Sequence, residues 1–115
     1  MGQLGQKISV RDSATTLDIN GTLTSLAFTS EPIEVLGKDW SLNTWHTAAL
    51  IGVPTFTIEV SNVTDTGSFN PLGCAENLPT EKPFIYNSSE YKYMRIVYLD
   101  NGATGGNKNF DLIVL

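Results

Sequence analysis

Hydrophobic and polar residues alternate most cleanly in the middle of the chain. The segment TFTIEVS, residues 55–61, has apolar side chains at every second position and hydroxyl or carboxylate side chains between them. A period of two predicts a strand with one buried and one exposed face, as in antiparallel sheets. The residues predicted to face the core are Phe56, Ile58 and Val60.

A second alternating segment, EYKYMRIVYL at residues 90–99, is the densest run of strand-forming residues in the chain. Three alternate positions are predicted to face the core, and they are Met94, Ile96 and Tyr98. The opposite face carries Arg95 between Tyr93 and Val97. We therefore expect the Arg95 head group to be exposed, with its aliphatic stem along one of these two neighbours. The alternative is an arginine that clamps a ligand.

Two segments in the first half predict strands with turns or interruptions. TTLDINGTLTSLAF, residues 15–28, predicts a hairpin through Asn20-Gly21, because this dipeptide tolerates the positive φ angles of a type I′ turn. In WSLNTWHTAAL, residues 40–50, the large apolar residues do not follow one alternation. A bulge or a change of register is therefore predicted there.

The second half contains two loop signals and a closing strand. Residues 62–83 are rich in Gly, Pro, Asn and Thr, which predicts a long connection with a short strand near SFNPL. NGATGG, residues 101–106, predicts a hairpin loop. NFDLIVL, residues 109–115, predicts a last strand that is apolar on both faces, and such a strand is either central in a sheet or covered by another chain.

Eight or nine short strands at intervals of about ten residues, without a capped helical segment, predict an all-β fold. We expect a single antiparallel β-sandwich or jelly roll. Residues 29–115 are predicted to form the sandwich domain. Residues 1–28 are predicted to form a hairpin that is either an arm gripping a neighbouring subunit or a part of the sandwich.

The composition narrows the classes of partner. The chain has 115 residues, seven Lys and Arg against twelve Asp and Glu, and a formal charge of −5. Nucleic-acid surfaces need clustered cations, so no nucleic-acid partner is expected. No apolar run approaches the length of a membrane span, and the first residues lack the apolar core of a secretory signal. We expect a soluble chain made in a cytoplasm, with no membrane span.

Candidate catalytic and metal-binding groups are few. The chain has one cysteine, Cys74, and one histidine, His46, so it offers neither an intrachain disulfide nor a thiolate–imidazole metal site. The oxygens of Asp100, Asn101 and Asp111 could share a calcium ion, but their spacing matches no known calcium loop. No nucleophile or paired-carboxylate signature is present. We expect no enzyme activity, no metal and no cofactor.

Aromatic side chains are the more serious candidates for a binding role. Trp40, Trp45, Tyr91 and Tyr93 offer flat rings on which a sugar could stack, although aromatic residues in strands more often lie in a core or an interface. The residues predicted to contact a ligand or partner are Trp40, Trp45, Tyr93 and Arg95.

Three segments taken together resemble a known family. They are EPIEVLGKDWSLNTWHTAAL, then TFTIEVSN, and, after about twenty residues, YKYMRIVYLDNGATGGNKNFDLIVL. This series is similar to the small β-sandwich virion proteins of double-stranded DNA phages, of decoration, minor-capsid or tail-adaptor type, and related patterns occur in discoidin-like carbohydrate-binding sandwiches. The resemblance covers residues 30–115. It departs from the family pattern at NVTDTGSFNPL, where an Asn-Asp-Gly turn and a tryptophan are usual.

The resemblance implies a non-enzymatic structural protein located in a virion. It implies as partners copies of the same chain, in a trimer or a pentamer, and other virion proteins such as the major capsid protein. The alternative that the sequence leaves open is a carbohydrate- or receptor-binding module of similar fold, with a glycan as its ligand.

Overall fold

A computed structural model describes residues 6–16, 18–19, 27–46, 51–77, 84–86, 89–103 and 108–114. The strands in these residues are β1 (Gln6–Ile8), β2 (Ala27–Thr29), β3 (Ile33–Glu34), β4 (Trp40–His46), β5 (Thr55–Ser61), β6 (Asn70–Pro71), β7 (Glu76–Asn77), β8 (Phe84–Tyr86), β9 (Tyr93–Leu99) and β10 (Lys108–Val114). One turn of 3₁₀-helix, Thr66–Ser68, is the only helical element among the described residues.

The strands form two antiparallel sheets. Sheet I has the order β1-β10-β4-β8, and sheet II has the order β2-β9-β5-β6. Strand β3 also pairs with β9, on the edge where β2 lies. Strand β7 also pairs with β5, on the edge where β6 lies. The chain changes sheet at every connection except β2 to β3 and β5 through β7. This strand order is that of a jelly roll, and it confirms the predicted all-β sandwich.

The core lies between the sheets, where the inward faces of both meet. Phe110 of β10 is fully buried, and its ring makes edge contacts with three other aromatic rings. The ring centroids lie 5.3 Å from Phe56, 5.8 Å from Phe28 and 6.1 Å from Tyr98. The residues that the alternation of β5 and β9 places inward all lie in this core, and they are Phe56, Ile58, Val60, Met94, Ile96 and Tyr98.

The described part of residues 1–28 is built into the sandwich. Strand β1 pairs with β10, and β2 pairs with β9. The core includes Val10, Ile19 and Phe28 from this segment. The described residues of this segment therefore form part of the sandwich. The predicted Asn20-Gly21 turn lies outside the described residues.

Two local predictions are wrong for physical reasons. Strand β4 pairs with β10 in one unbroken register over Trp40–His46, so the described part of this segment has no bulge, and residues 47–50 lie outside the described residues. The register continues because Thr44 is buried and Trp45 points outward, where its indole N–H donates to the Asp111 carboxylate. The predicted hairpin after β9 is instead a corner, since β9 lies in sheet II and β10 in sheet I. Asn101 and Gly102 have positive φ angles of 53° and 78°, and the Ala103 N–H donates to the Asp100 carbonyl at 3.0 Å, so residues 100–103 form a tight turn after β9.

A bulge does occur between β2 and β3, on the edge of sheet II. Residues 30–32 lie opposite only residues 95 and 96 of β9. The Ser30 N–H donates to the Ile96 carbonyl at 2.9 Å, and the Ile96 N–H donates to Ser30 Oγ at 2.8 Å. The Ser30 hydroxyl therefore replaces the carbonyl that accepts this bond in a regular ladder.

Replacing Ser30 by alanine is expected to lower the free energy of unfolding by about 1–3 kcal/mol, because the buried Ile96 N–H would lose its acceptor. Ser41→Ala, on the outer face of β4, is the matched control and should stay within about 0.5 kcal/mol of the unmodified chain. Urea denaturation measures both. Equal effects of the two substitutions would show that the hydroxyl does not complete the ladder.

Candidate functional site

The outer face of sheet II has six neighbouring positions without a charged side chain. Val97 and Leu99 of β9 lie at the centre of two cross-strand rows, which are Ala27–Leu99–Thr55 and Thr29–Val97–Thr57. Leu99 is 51% exposed, and Ile51 and Val53, which precede β5, are exposed as well. We call the six residues in the two rows the uncharged face. A sheet surface of this kind is suited to contact with another protein.

Arg95 lies on the same side of the sheet, in the next row, opposite Glu59. Its Nε and Nη2 lie 2.7 Å from Glu59 Oε1, and Nη2 donates to the Thr66 carbonyl at 3.3 Å. The Phe69 ring covers the guanidinium, with 4.1 Å from Cζ to the ring centroid. We call these four residues the Arg95 clamp.

The prediction of an exposed Arg95 is therefore wrong. Only 11% of its side chain is exposed, because the connection that follows β5 folds back over the sheet and places Phe69 on it. Its described contacts are with the chain itself. The clamp holds residues 66–69 against sheet II.

The other predicted contact residues are spread over the molecule. Trp40 is 3% exposed and stacks on Tyr86, with ring centroids 5.4 Å apart, so its ring belongs to the core. Tyr93 is half-buried on the outer face of sheet II, where Lys92 Nζ lies 5.5 Å from its ring centroid. Trp45 is on the outer face of sheet I and is 45% exposed. The structure therefore does not bring the four residues into one site.

Trp45 is the centre of a polar group of side chains on sheet I. Its Nε1 donates to Asp111 Oδ2 across the β4–β10 pair at 2.7 Å. The other carboxylate oxygen, Oδ1, lies 3.2 Å from Lys7 Nζ of β1. Asn43 is exposed and lies directly opposite Asp111 in the register. We call Lys7, Asn43, Trp45 and Asp111 the tryptophan platform.

The described residues line an apolar and a polar recess at the edges of the sandwich. An apolar slot of about 90 Å³ lies between the sheets and has space for little more than one side chain. A polar cleft of about 330 Å³ lies where β5 ends, and its lining includes Ser61, Asn62, Ser68, Asn70 and Tyr91. The Ser61 and Ser68 hydroxyls are bonded to each other at 2.7 Å, and Asn62 Oδ1 accepts the Lys92 N–H at 3.1 Å. These bonds within the cleft hold its own loops together.

Among the titratable groups, Tyr98 has a shifted pKa. Its hydroxyl donates to Asp100 Oδ1 at 3.0 Å, and both residues are buried. Burial, reinforced by the nearby Asp100 carboxylate, raises the pKa of the Tyr98 phenol well above its ordinary value. The phenol therefore stays neutral at physiological pH and serves as a hydrogen-bond donor in the core.

Within the described ranges, no group of three or more His, Cys, Asp or Glu residues is arranged so that it could hold a metal ion. In the same part of the chain, no helix has the length and apolar character needed to cross a membrane. Asp100 and Asp111, two of the three calcium candidates, have different partners, since one is bonded to Tyr98 in the core and the other belongs to the tryptophan platform.

Comparisons with known proteins add little to this description. No family model matches the chain, and no curated protein matches it. Among solved structures, the chain is similar to a crystal structure of PirA, with a TM-score of 0.46 and 10% sequence identity over 100% of this chain and 96% of that chain. A likeness at this level carries no inference about function. The strand order defines the chain as a jelly-roll β-sandwich, and the comparisons do not narrow the class of protein further.

The sequence did not predict most of the uncharged face or of the tryptophan platform. The uncharged face was readable in part, because residues 55 and 57 are the outward positions of β5 and residues 97 and 99 are those of β9. That these four residues lie side by side depends on the pairing of β5 with β9. Lys7 carried no signal and Asp111 was considered only as a calcium ligand, since nothing local indicates that β1, β10 and β4 are neighbours.

Proposed function

We propose that the chain is a non-enzymatic structural component of a phage virion, of decoration, minor-capsid or tail-adaptor type. It acts through contacts with copies of itself and with other virion proteins such as the major capsid protein. The observation that supports this proposal is the uncharged face on sheet II. The resemblance of residues 30–115 to small phage virion sandwiches supplies the class of assembly.

Electrostatics makes the uncharged face the favourable place for identical chains to meet. Each chain carries a formal charge of −5, so two copies repel each other over most approaches. A contact made through Ala27, Thr29, Thr55, Thr57, Val97 and Leu99 removes no charged side chain from water. Burial of Leu99 and Val97 then contributes hydrophobic free energy without a desolvation penalty for ions.

A repeating shell also lowers the affinity that each single contact must have. When many copies bind a shared surface, retention depends on all contacts together, and each can be individually weak. A small rigid module with one adhesive face is sufficient for that role. The jelly roll supplies the rigidity, because its core ties both sheets together through Phe110.

The Leu99→Glu variant tests this proposal. We expect the unmodified chain to form a closed oligomer in solution, and we expect Leu99→Glu to be a folded monomer, because each contact would then bury uncompensated carboxylates. Native mass spectrometry and light scattering give the masses, and circular dichroism confirms that the variant is folded.

Ile113→Glu is the matched control, since Ile113 also lies on a central strand, points outward and is partly exposed, but on sheet I. It adds the same charge and should leave the oligomer intact. A monomeric unmodified chain at every concentration, or an oligomer that survives Leu99→Glu and dissociates with Ile113→Glu, would refute the uncharged face as the contact surface.

A further inference from the structure

We infer that the tryptophan platform is a binding site for a neutral oligosaccharide. It lies on sheet I, on the side of the sandwich opposite the uncharged face, so the two surfaces can be occupied at the same time. The inference does not depend on the proposed virion role.

The indole ring of Trp45 is held in place rather than left mobile. Its N–H is bonded to Asp111 on the neighbouring strand at 2.7 Å, which directs the nitrogen edge toward β10. Nearly half of the residue stays exposed, although burying a tryptophan side chain is strongly favourable. A fixed aromatic surface with its polar atom already bonded loses little entropy when the C–H face of a sugar stacks on it.

The groups around the ring match the hydroxyls of a sugar. A carboxylate has about four acceptor positions, and the Trp45 and Lys7 bonds occupy one on each Asp111 oxygen. Asp111 can therefore still accept sugar hydroxyl protons. Lys7 supplies donors, and the exposed Asn43 amide supplies both donors and an acceptor. This combination of one apolar ring with a few polar groups is typical of sites that orient a small amphipathic ligand.

Spacing and charge define the ligand more closely. Trp45 and Asn43 are alternate residues on one face of β4, so their side chains project about 7 Å apart. A ring stacked on Trp45 therefore places the adjoining sugar of a chain over Asn43 and Asp111. Lys7 and Asp111 neutralise each other, which gives no preference for a charged sugar. A neutral chain of at least two sugars fits these conditions.

The polar cleft at the end of β5 is a weaker candidate for this ligand. Its serine pair and Asn62 are engaged in bonds within the cleft, and Tyr91 at its wall is half-buried. An oligosaccharide would have to break those bonds to bind there. On the tryptophan platform the acceptor positions of Asp111 remain accessible at no such cost.

An array of immobilised neutral and sialylated oligosaccharides, probed with the full chain, tests the inference. We expect a neutral oligosaccharide to bind. The same free oligosaccharide should protect tryptophan fluorescence from acrylamide, because Trp45 is exposed to the quencher and Trp40, the other tryptophan, is not. Trp45→Ala should weaken binding at least tenfold, as expected for a stacked aromatic anchor. Trp45→Phe, which keeps an aromatic ring, should lose less.

Tyr93→Ala is the matched control, because it removes a partly exposed aromatic ring from the outer face of the other sheet and should leave binding unchanged. Circular dichroism checks that each variant is folded. An array without any bound neutral oligosaccharide would refute the inference, and so would a hit whose affinity is unchanged in Trp45→Ala. Native mass separates this result from the proposed virion role, since Trp45→Ala should not change the oligomer and Leu99→Glu should not change sugar binding.

Discussion

Phe110→Ala is expected to lower the free energy of unfolding by about 4 kcal/mol. The ring is fully buried and makes edge contacts with Phe28, Phe56 and Tyr98, which come from sheet II. Its removal leaves a cavity between the sheets and deletes three aromatic contacts at once. Because domains of this size are stable by about 5–15 kcal/mol, the loss is a large share of the total.

Guanidinium denaturation monitored by fluorescence and circular dichroism measures this loss. Phe110→Leu, which keeps most of the apolar volume, is the control and should cost about 1–1.5 kcal/mol. If alanine and leucine had the same small effect, the ring would not be the packing centre that joins the sheets, and the described core would be incorrect.

Arg95→Met is expected to lower the free energy of unfolding by about 3 kcal/mol. The substitution leaves Glu59, only 18% exposed, without its cation, and breaking a buried ion pair from one side costs roughly 3–5 kcal/mol. The lower end applies because Glu59 retains some contact with water. The Thr66 hydrogen bond and the Phe69 ring contact are lost as well, so residues 66–69 should open more often.

A double-mutant cycle separates charge from packing in the Arg95 clamp. Arg95→Met with Glu59→Leu replaces the pair by apolar side chains and should lie within about 1 kcal/mol of the unmodified chain, because no buried charge is left alone. Hydrogen exchange of residues 66–69 should accelerate in both variants, because both lack the Arg95 contacts with Thr66 and Phe69. Equal destabilisation in both would show that the stability lost in Arg95→Met does not come from the unpaired Glu59 carboxylate.

The sequence predicted the parts of the fold that depend on local pattern. Alternation in β5 and β9 identified their buried faces correctly, because each of these strands has one side against the core. The closing strand β10 is central in sheet I, which was one of the two alternatives predicted for it, although its outer face carries Asp111 as well as Ile113. The short strand near SFNPL is present as β6.

The errors arise where distant parts of the chain meet. Alternation placed Arg95 on the outer face but could not indicate that Phe69, which follows in a separate loop, would cover it. The NGATGG segment was recognised as a turn, but a local turn does not reveal that the strands on either side belong to different sheets. Trp45 was expected to disturb β4 because size alone predicts burial, whereas its N–H is satisfied outside by Asp111.

The candidate surfaces were predictable only as single residues. Trp45 was identified by its aromatic character, whereas Lys7, Asn43 and Asp111 join it through strand pairing. The uncharged face likewise depends on the order β2-β9-β5, which brings three threonines beside Val97 and Leu99. Both candidate surfaces consist of side chains that lie side by side on neighbouring strands. Which side chains become neighbours depends on strand order and register, and no single segment of the sequence shows these.

Peptide mass mapping of purified, washed virions from the source of this sequence shows whether the chain is a virion component. We expect peptides of this chain to be recovered with the particles, in amounts that correspond to many copies per virion alongside the major capsid protein. Recovery of the chain only from the soluble fraction of the host lysate, with none in the washed particles, would contradict the proposed virion role.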